Sequence, residues 1–183
     1  MISDKVILSS DRFQFTIKRL CHQLIENYDQ FENACIIGIQ ERGAMLSDRI
    51  TKVLQDEMAQ QVEYGKIDIS FYRDDYRRRE KIISPSANTI DFLIEGKKVI
   101  LIDDVLYTGR TIQAALMALQ QYGRPSVVEL LVLVDRRFNR HLPIEANYKG
   151  LTVDALDEAY VKVEWQHQSG IDQVTFFSKK NED

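Results

Sequence analysis

The stretch that most constrains the fold runs Val99-Ile100-Leu101-Ile102-Asp103-Asp104-Val105-Leu106-Tyr107-Thr108-Gly109-Arg110-Thr111. Four consecutive apolar residues, mostly β-branched, predict a short strand buried on both faces of a parallel sheet. Two adjacent carboxylates are expected to end it. Behind the Thr-Gly-Arg-Thr segment, Ile112, Ala115, Leu116, Leu119 and Tyr122 recur at helical spacing, so residues 111–122 read as a helix stopped by Gly123 and Pro125. A strand, a tight polar turn and a helix in direct succession belong to an α/β architecture.

Such a turn places free backbone N–H groups and the positive end of the helix dipole at one point, which favours a phosphate. Thr108 and Thr111 add hydroxyl donors, and Gly109 permits close approach to the backbone. The loop therefore reads as a monophosphate cradle, and the two acids upstream suit the vicinal hydroxyls of a ribose. Along a continuing strand Asp103 and Asp104 point to opposite sides, so one faces the ligand and the other supports it or a magnesium shell. The plain alternative is a solvated strand end with an ordinary helix cap; the helix in register behind the turn favours a site. Neither Gly-x-x-x-x-Gly-Lys-Ser/Thr nor Gly-x-Gly-x-x-Gly occurs in the chain, which argues against a nucleoside triphosphatase or a dinucleotide enzyme.

Residues 99–111 resemble the phosphoribosyl pyrophosphate motif of type I phosphoribosyltransferases. The wording Asp-Asp-Val-Leu-Tyr-Thr-Gly-Arg-Thr is closer still to one branch, the pyrimidine operon attenuation regulators that double as uracil phosphoribosyltransferases. The resemblance implies a three-layer fold, a mainly parallel central sheet flanked by helices, with a small hood and a flexible loop. It implies transfer of phosphoribosyl from phosphoribosyl pyrophosphate to uracil, giving UMP and pyrophosphate. Asp103 and Asp104 then hold the ribose and help, through water, a Mg2+ bound mainly by substrate oxygens.

Taken in order, residues 11–28 set Phe15, Ile17, Leu20, Leu24, Ile25 and Tyr28 on one stripe, predicting a core-facing helix capped by Ser10 or Asp11. Cys35-Ile36-Ile37-Gly38-Ile39 is a second buried strand, followed by Gln40-Glu41-Arg42-Gly43 and a helix carrying Leu46, Ile50, Val53 and Leu54. Two such turns at the carboxyl ends of parallel strands face one crevice. In the resemblance Gln40 to Gly43 is the pyrophosphate loop; Arg42 and Gly43 fit its pattern, and Glu41 departs from it. Residues 63–72 alternate as a strand with Ile67, Ile69 and Phe71 on one face. The charged run that follows, from Arg73-Asp74-Asp75 to Lys81, is by itself a solvated face; in the resemblance Tyr72, Arg73, Asp74 and Asp75 enter the flexible loop, about 73–90.

Residues 127–135 are the most apolar run and predict a central strand. Its continuation, about 135–150, is in the resemblance the hood that reads uracil, with Asp135, Arg136, Arg137 and Ile144 as candidates. Uracil presents acceptor, donor, acceptor along O2, N3 and O4, so matching backbone groups reject cytosine by leaving buried polar atoms unpaired. Residues 160–165 and 173–177 alternate as two paired strands, and Trp165 reads as a packing contact. The end from Lys179 to Asp183 is expected to fray.

At 183 residues the chain fits one phosphoribosyltransferase domain, 1–183. No run approaches the roughly 20 apolar residues of a membrane span, and no basic-then-apolar leader opens the chain, which predicts a cytoplasmic protein. Two isolated cysteines, Cys21 and Cys35, predict buried thiols without disulfide or zinc. A net charge of −4 does not favour a general nucleic-acid coat. The resembled branch binds a leader RNA through its first helix, where Arg19 and His22 are the candidates, and it forms homo-oligomers.

Overall fold

Strands rich in β-branched residues on both faces need cover on both sides, and the chain supplies it. In the computed structural model, which describes residues 3–74, 87–154 and 159–178, five strands form one parallel sheet in the order β3-β2-β4-β5-β6. These are β2 (Ala34–Ile39), β3 (Glu63–Ile67), β4 (Lys98–Leu106), β5 (Val127–Arg137) and β6 (Tyr148–Asp154). Helices α1 (Ser10–Tyr28) and α2 (Arg42–Met58) cover one face. There Phe13, Ile17, Leu20, Leu24, Leu46, Ile50 and Leu54 pack with Ile100, Ile102, Leu131 and Leu133. Helix α3 (Arg110–Leu119) covers the other, where Ile112, Ala115 and Leu119 meet Val99, Leu101 and Val132. Among the described residues no helix is long and apolar enough to cross a membrane.

A second, antiparallel sheet joins the two ends of the described chain in the order β1-β8-β7: β1 (Ser3–Leu8), β7 (Ala159–Glu164) and β8 (Gln173–Ser178). Between β7 and β8 lies the single turn α4 (Gln166–Ser169). The small sheet is held to the large one through Trp165, which is 1% exposed and meets Phe13 edge-on, ring centroids 5.5 Å apart. Beside them Arg49 of α2 lies over both rings, 5.7 Å from Phe13 and 5.1 Å from Trp165. Its Nη1 donates to Asp172 at 2.5 Å, and the same carboxylate accepts from Gln14 at 3.0 Å and from the Gln166 amide at 2.8 Å.

Several expectations are corrected. Phe15 is 71% exposed and Phe13 takes its place in the core, because the buried stripe follows 13, 17, 20, 21 and 24. The cap of α1 is Ser9, without a side-chain cap bond, and neither Ser10 nor Asp11. Strand β3 ends at Ile67; residues 70–72 form a 3₁₀ turn, and Phe71 is 61% exposed. The acids do not end β4, which continues to Leu106 because its ladder with β5 runs on to Leu106–Asp135. Helix α3 gives way to a 3₁₀ turn at 120–122, and Leu116 is 38% exposed. Strands β1 and β6, at the amino end and after 147, had no place in the sequence reading. The segment 135–150 lies at the end of β5 and runs into β6 of the parallel sheet, while the antiparallel sheet is built from the termini. Both cysteines are buried thiols whose pKa burial pushes up to about 12, leaving them unreactive. Residues 75–86, with Asp75 and the charged run, and the end 179–183 lie outside the described residues.

Candidate active site

Strands β2 and β4 lie side by side and parallel, so their carboxyl ends and the helices that follow converge. Gly43, the second residue of α2, makes the closest approach: a Cβ there would lie 2.5 Å from the Ile102 carbonyl oxygen and 2.9 Å from Asp103 Cα. Only glycine lets α2 begin against the acids of β4. The segment Gln40-Glu41-Arg42-Gly43 thus borders Asp103 and Asp104. The Gln40–Glu41 peptide is cis, and Gln40 Nε2 donates to the Ala87 carbonyl at 2.7 Å. Glu41 is exposed.

Asp103 and Asp104 are 6% and 5% exposed. The Asp104 amide donates to Asp103 Oδ1 at 2.9 Å, and among the described residues Asp104 Oδ2 has no hydrogen-bond partner. Burial raises the pKa of Asp103 well above its usual range, the neighbouring Asp104 charge adds to this, and Arg42 opposes it. Burial also raises Asp104, again against the pull of Arg42. Burial and the neighbouring carboxylate both act against the charged form of Asp103. The two acids accept hydroxyl donors or cationic charge readily, since either restores what burial removed.

A cavity of about 610 Å³ opens beside them, walled by Asp103 and by every residue from 105 to 112, with Arg73 and Asp74 at its rim. Asp103 faces this cavity; Asp104 does not line it. Gly109 is the residue before α3 and has φ +91°, a left-handed conformation that suits glycine. Thr108, Thr111 and the start of α3 bound the space, with the Arg110 amide donating to Thr108 Oγ1 at 3.4 Å, and a helix start aimed at a cavity favours an anion. Arg110 pairs with Asp74 across the rim, and Tyr72 receives a hydrogen bond from Gln121.

The 135–144 candidates separate. Asp135, 3% exposed, accepts from Arg140 Nη2 at 2.6 Å and lies 3.3 Å from Lys149 Nζ. Arg136 stacks over the Tyr107 ring at 3.9 Å and donates to the Ala159 carbonyl, tying the turn to the antiparallel sheet. Arg137 points outward into a two-bond pair with Asp154 at 2.5 and 2.7 Å. Ile144 reaches the turn: its Cδ1 is 3.3 Å from where a Gly109 Cβ would be. Nothing in the spacing of Arg140 or Lys149 along the sequence singles either out as a partner of Asp135. On α1, remote in sequence from this crevice, Arg19 donates to the Lys149 and Gly150 carbonyls at 3.1 and 2.6 Å, and His22 lies 3.6 Å from Glu57.

Comparison with known proteins bears on the family and the fold. Residues 4–168 match the phosphoribosyl transferase domain family. The chain is 41% identical over 185 residues to the bifunctional protein PyrR of Actinobacillus pleuropneumoniae serotype 5b, covering 98% of this chain and 99% of that one. It is 43% identical over 168 residues to the bifunctional protein PyrR of Gloeothece citriformis, covering 92% and 94%. In fold it is similar to the hypoxanthine phosphoribosyltransferase of Trypanosoma cruzi, with a TM-score of 0.71 at 17% identity over 96% of this chain and 97% of that one. On the sequence match and the fold, the chain belongs to the phosphoribosyltransferases and, within them, to the family of the bifunctional PyrR proteins.

Proposed function

We propose that residues 1–183 work as one domain that transfers the phosphoribosyl group of phosphoribosyl pyrophosphate to N1 of uracil, releasing UMP and pyrophosphate. The observation that carries this reading is the meeting of the buried Asp103–Asp104 pair with Gly43 on one side and the 105–112 turn on the other. The turn takes the 5′-phosphate on the amides and hydroxyls of Thr108, Gly109 and Thr111. Asp103, facing the cavity, accepts from the ribose hydroxyls, and Asp104 supports it from behind. Arg42 and the amides of the 40–43 segment receive the pyrophosphate, whose charge grows as the bond from C1 to oxygen breaks and the bond from C1 to N1 forms. Catalysis here needs no protein nucleophile: these groups fix the reactants and stabilise charge around an oxocarbenium-like carbon.

The acids fit a divalent cation, since Asp104 Oδ2 is buried without a partner. Mg2+ bound there would be held mainly by substrate oxygens and water, with the acids beside it, and would supply charge neutralisation of the pyrophosphate. The base is read by backbone groups at the end of β5, because the Asp135 carboxylate is already taken by Arg140 and Lys149, while Ile144 backs the turn at Gly109. Product formation with uracil, orotate, hypoxanthine and adenine offered side by side tests this. UMP alone supports the reading, and another nucleotide replaces the base.

The word bifunctional in the relatives' name favours a second activity, binding of a pyrimidine-operon leader RNA, with Arg19 and His22 on α1 as its contacts. A gel shift lost in Arg19→Ala and kept in Asp104→Asn supports it; no shift at low salt removes it. The same reading has the chain acting as a homo-oligomer, an association that the exposed Phe15 of α1 is suited to join.

A further inference from the structure

A turn that offers its amides to a phosphate must turn the paired carbonyls the other way, and those carbonyls need partners of their own. The Tyr107–Thr108 and Thr108–Gly109 peptides are trans, so each C=O points opposite to the N–H of the next residue. Both carbonyls are taken by successive residues of one segment. Arg140 Nη1 donates to the Tyr107 oxygen, and the His141 amide donates to the Thr108 oxygen at 3.0 Å. Leu142 and Ile144 then close on Gly109, at 3.4 and 3.3 Å from its virtual Cβ. The cavity is walled by 105–112 and by no residue of 138–144, so the turn stands between the segment and the cavity.

We propose that Arg140 is a positioning residue for this turn: seated on the buried Asp135 carboxylate, it holds the Tyr107 carbonyl so that the Thr108 and Gly109 amides face the phosphate. The proposal rests on the reading of the turn as the 5′-phosphate site. Charge compensation of Asp135 does not by itself account for Arg140, because Lys149 already lies 3.3 Å from the other carboxylate oxygen. What Lys149 does not do is reach the turn. A guanidinium has donors in a rigid fork and serves two acceptors at once, one nitrogen on Asp135 at 2.6 Å and the other on Tyr107. Placed against a carbonyl, it also polarises the peptide whose N–H faces the ligand.

Calorimetric titration of the full chain with ribose 5-phosphate tests this without any base. Arg140→Ala is expected to weaken binding on the order of 10- to 100-fold, the worth of a charge-assisted hydrogen bond. Millimolar methylguanidinium is expected to restore part of the loss, which a merely structural role does not predict. Arg140→Lys keeps the charge but does not span both acceptors, so it is expected to bind weakly too. It carries the test should the alanine variant fail to fold. Native affinity in either folded variant overturns the role of Arg140. Failure of the unmodified protein to bind ribose 5-phosphate overturns the reading of the turn as well.

Discussion

Two groups of buried carboxylates are treated in opposite ways. Asp172, 3% exposed, is surrounded by donors: Arg49, Gln14 and the Gln166 amide. Burial alone pushes its pKa up, but Arg49 foremost, with the Gln166 amide, holds it below the usual value of 3.8. Asp103 and Asp104 are as deeply buried, yet Arg42 does not offset what they lose, and both are raised. A satisfied acid fastens the antiparallel sheet to α1 and α2. An acid pair left short of donors is poised for what a substrate brings.

The sharpest break in this comparison exchanges charge for amide. Asp104→Asn is expected to lower turnover by on the order of 10²- to 10³-fold while far-ultraviolet circular dichroism shows the fold kept; native kinetics remove the acid pair from the site. Asp172→Ala is expected to do the reverse, destabilising the protein by about 3 kcal/mol because the half-buried Arg49, Gln14 and the Gln166 amide all lose their acceptor. In thermal melts this is roughly 6–12 °C, with turnover at low temperature retained.

Gly43→Ala tests the contact between α2 and the acids. A methyl group 2.5 Å from the Ile102 oxygen must push the helix start away. The KM for phosphoribosyl pyrophosphate is expected to rise about tenfold, with a stability loss of about 1–3 kcal/mol. A native KM shows that the helix start does not touch the substrate.

The smallest effects lie in pH. The folded pKa of Asp172 is depressed, so its stabilisation is whole above the usual 3.8 and fades as pH falls through the folded value. The folded pKa values of Asp103 and Asp104 are raised, so their cost is absent below 3.8 and grows as pH climbs through the folded values. Melting curves across pH are therefore expected to show Asp104→Asn gaining stability over the unmodified protein toward neutral pH. Under the same conditions Asp172→Asn loses stability, with the loss shrinking in acid. Parallel curves for the two variants sink the comparison.

Much of this was legible in the residues. The run from Val99 through Thr111, the shorter echo from Cys35 through Gly43, and their places at parallel strand ends follow from local patterns: apolar runs bounded by turn residues, and glycines where the backbone must bend or approach. The same patterns misplaced Phe15 and Phe71, because a helical stripe or an alternating strand has two neighbouring phases and only the packed neighbours choose between them.

The strand-turn-helix units, the acid pair and the glycine turn behind it are legible in the residues alone, since each is written within about a dozen contiguous positions. Long-range packing, by contrast, is what engages Asp135 with Arg140 and Lys149, stacks Arg136 on Tyr107, turns Arg137 outward to Asp154 and fastens Asp172 with Arg49. Those outcomes depend on which partners lie across the fold, at separations from 5 to 123 residues along the chain for the Arg140 and Arg49 pairs. A charge gains or loses its freedom by what lies within a few ångströms of it, and no spacing along the chain records that.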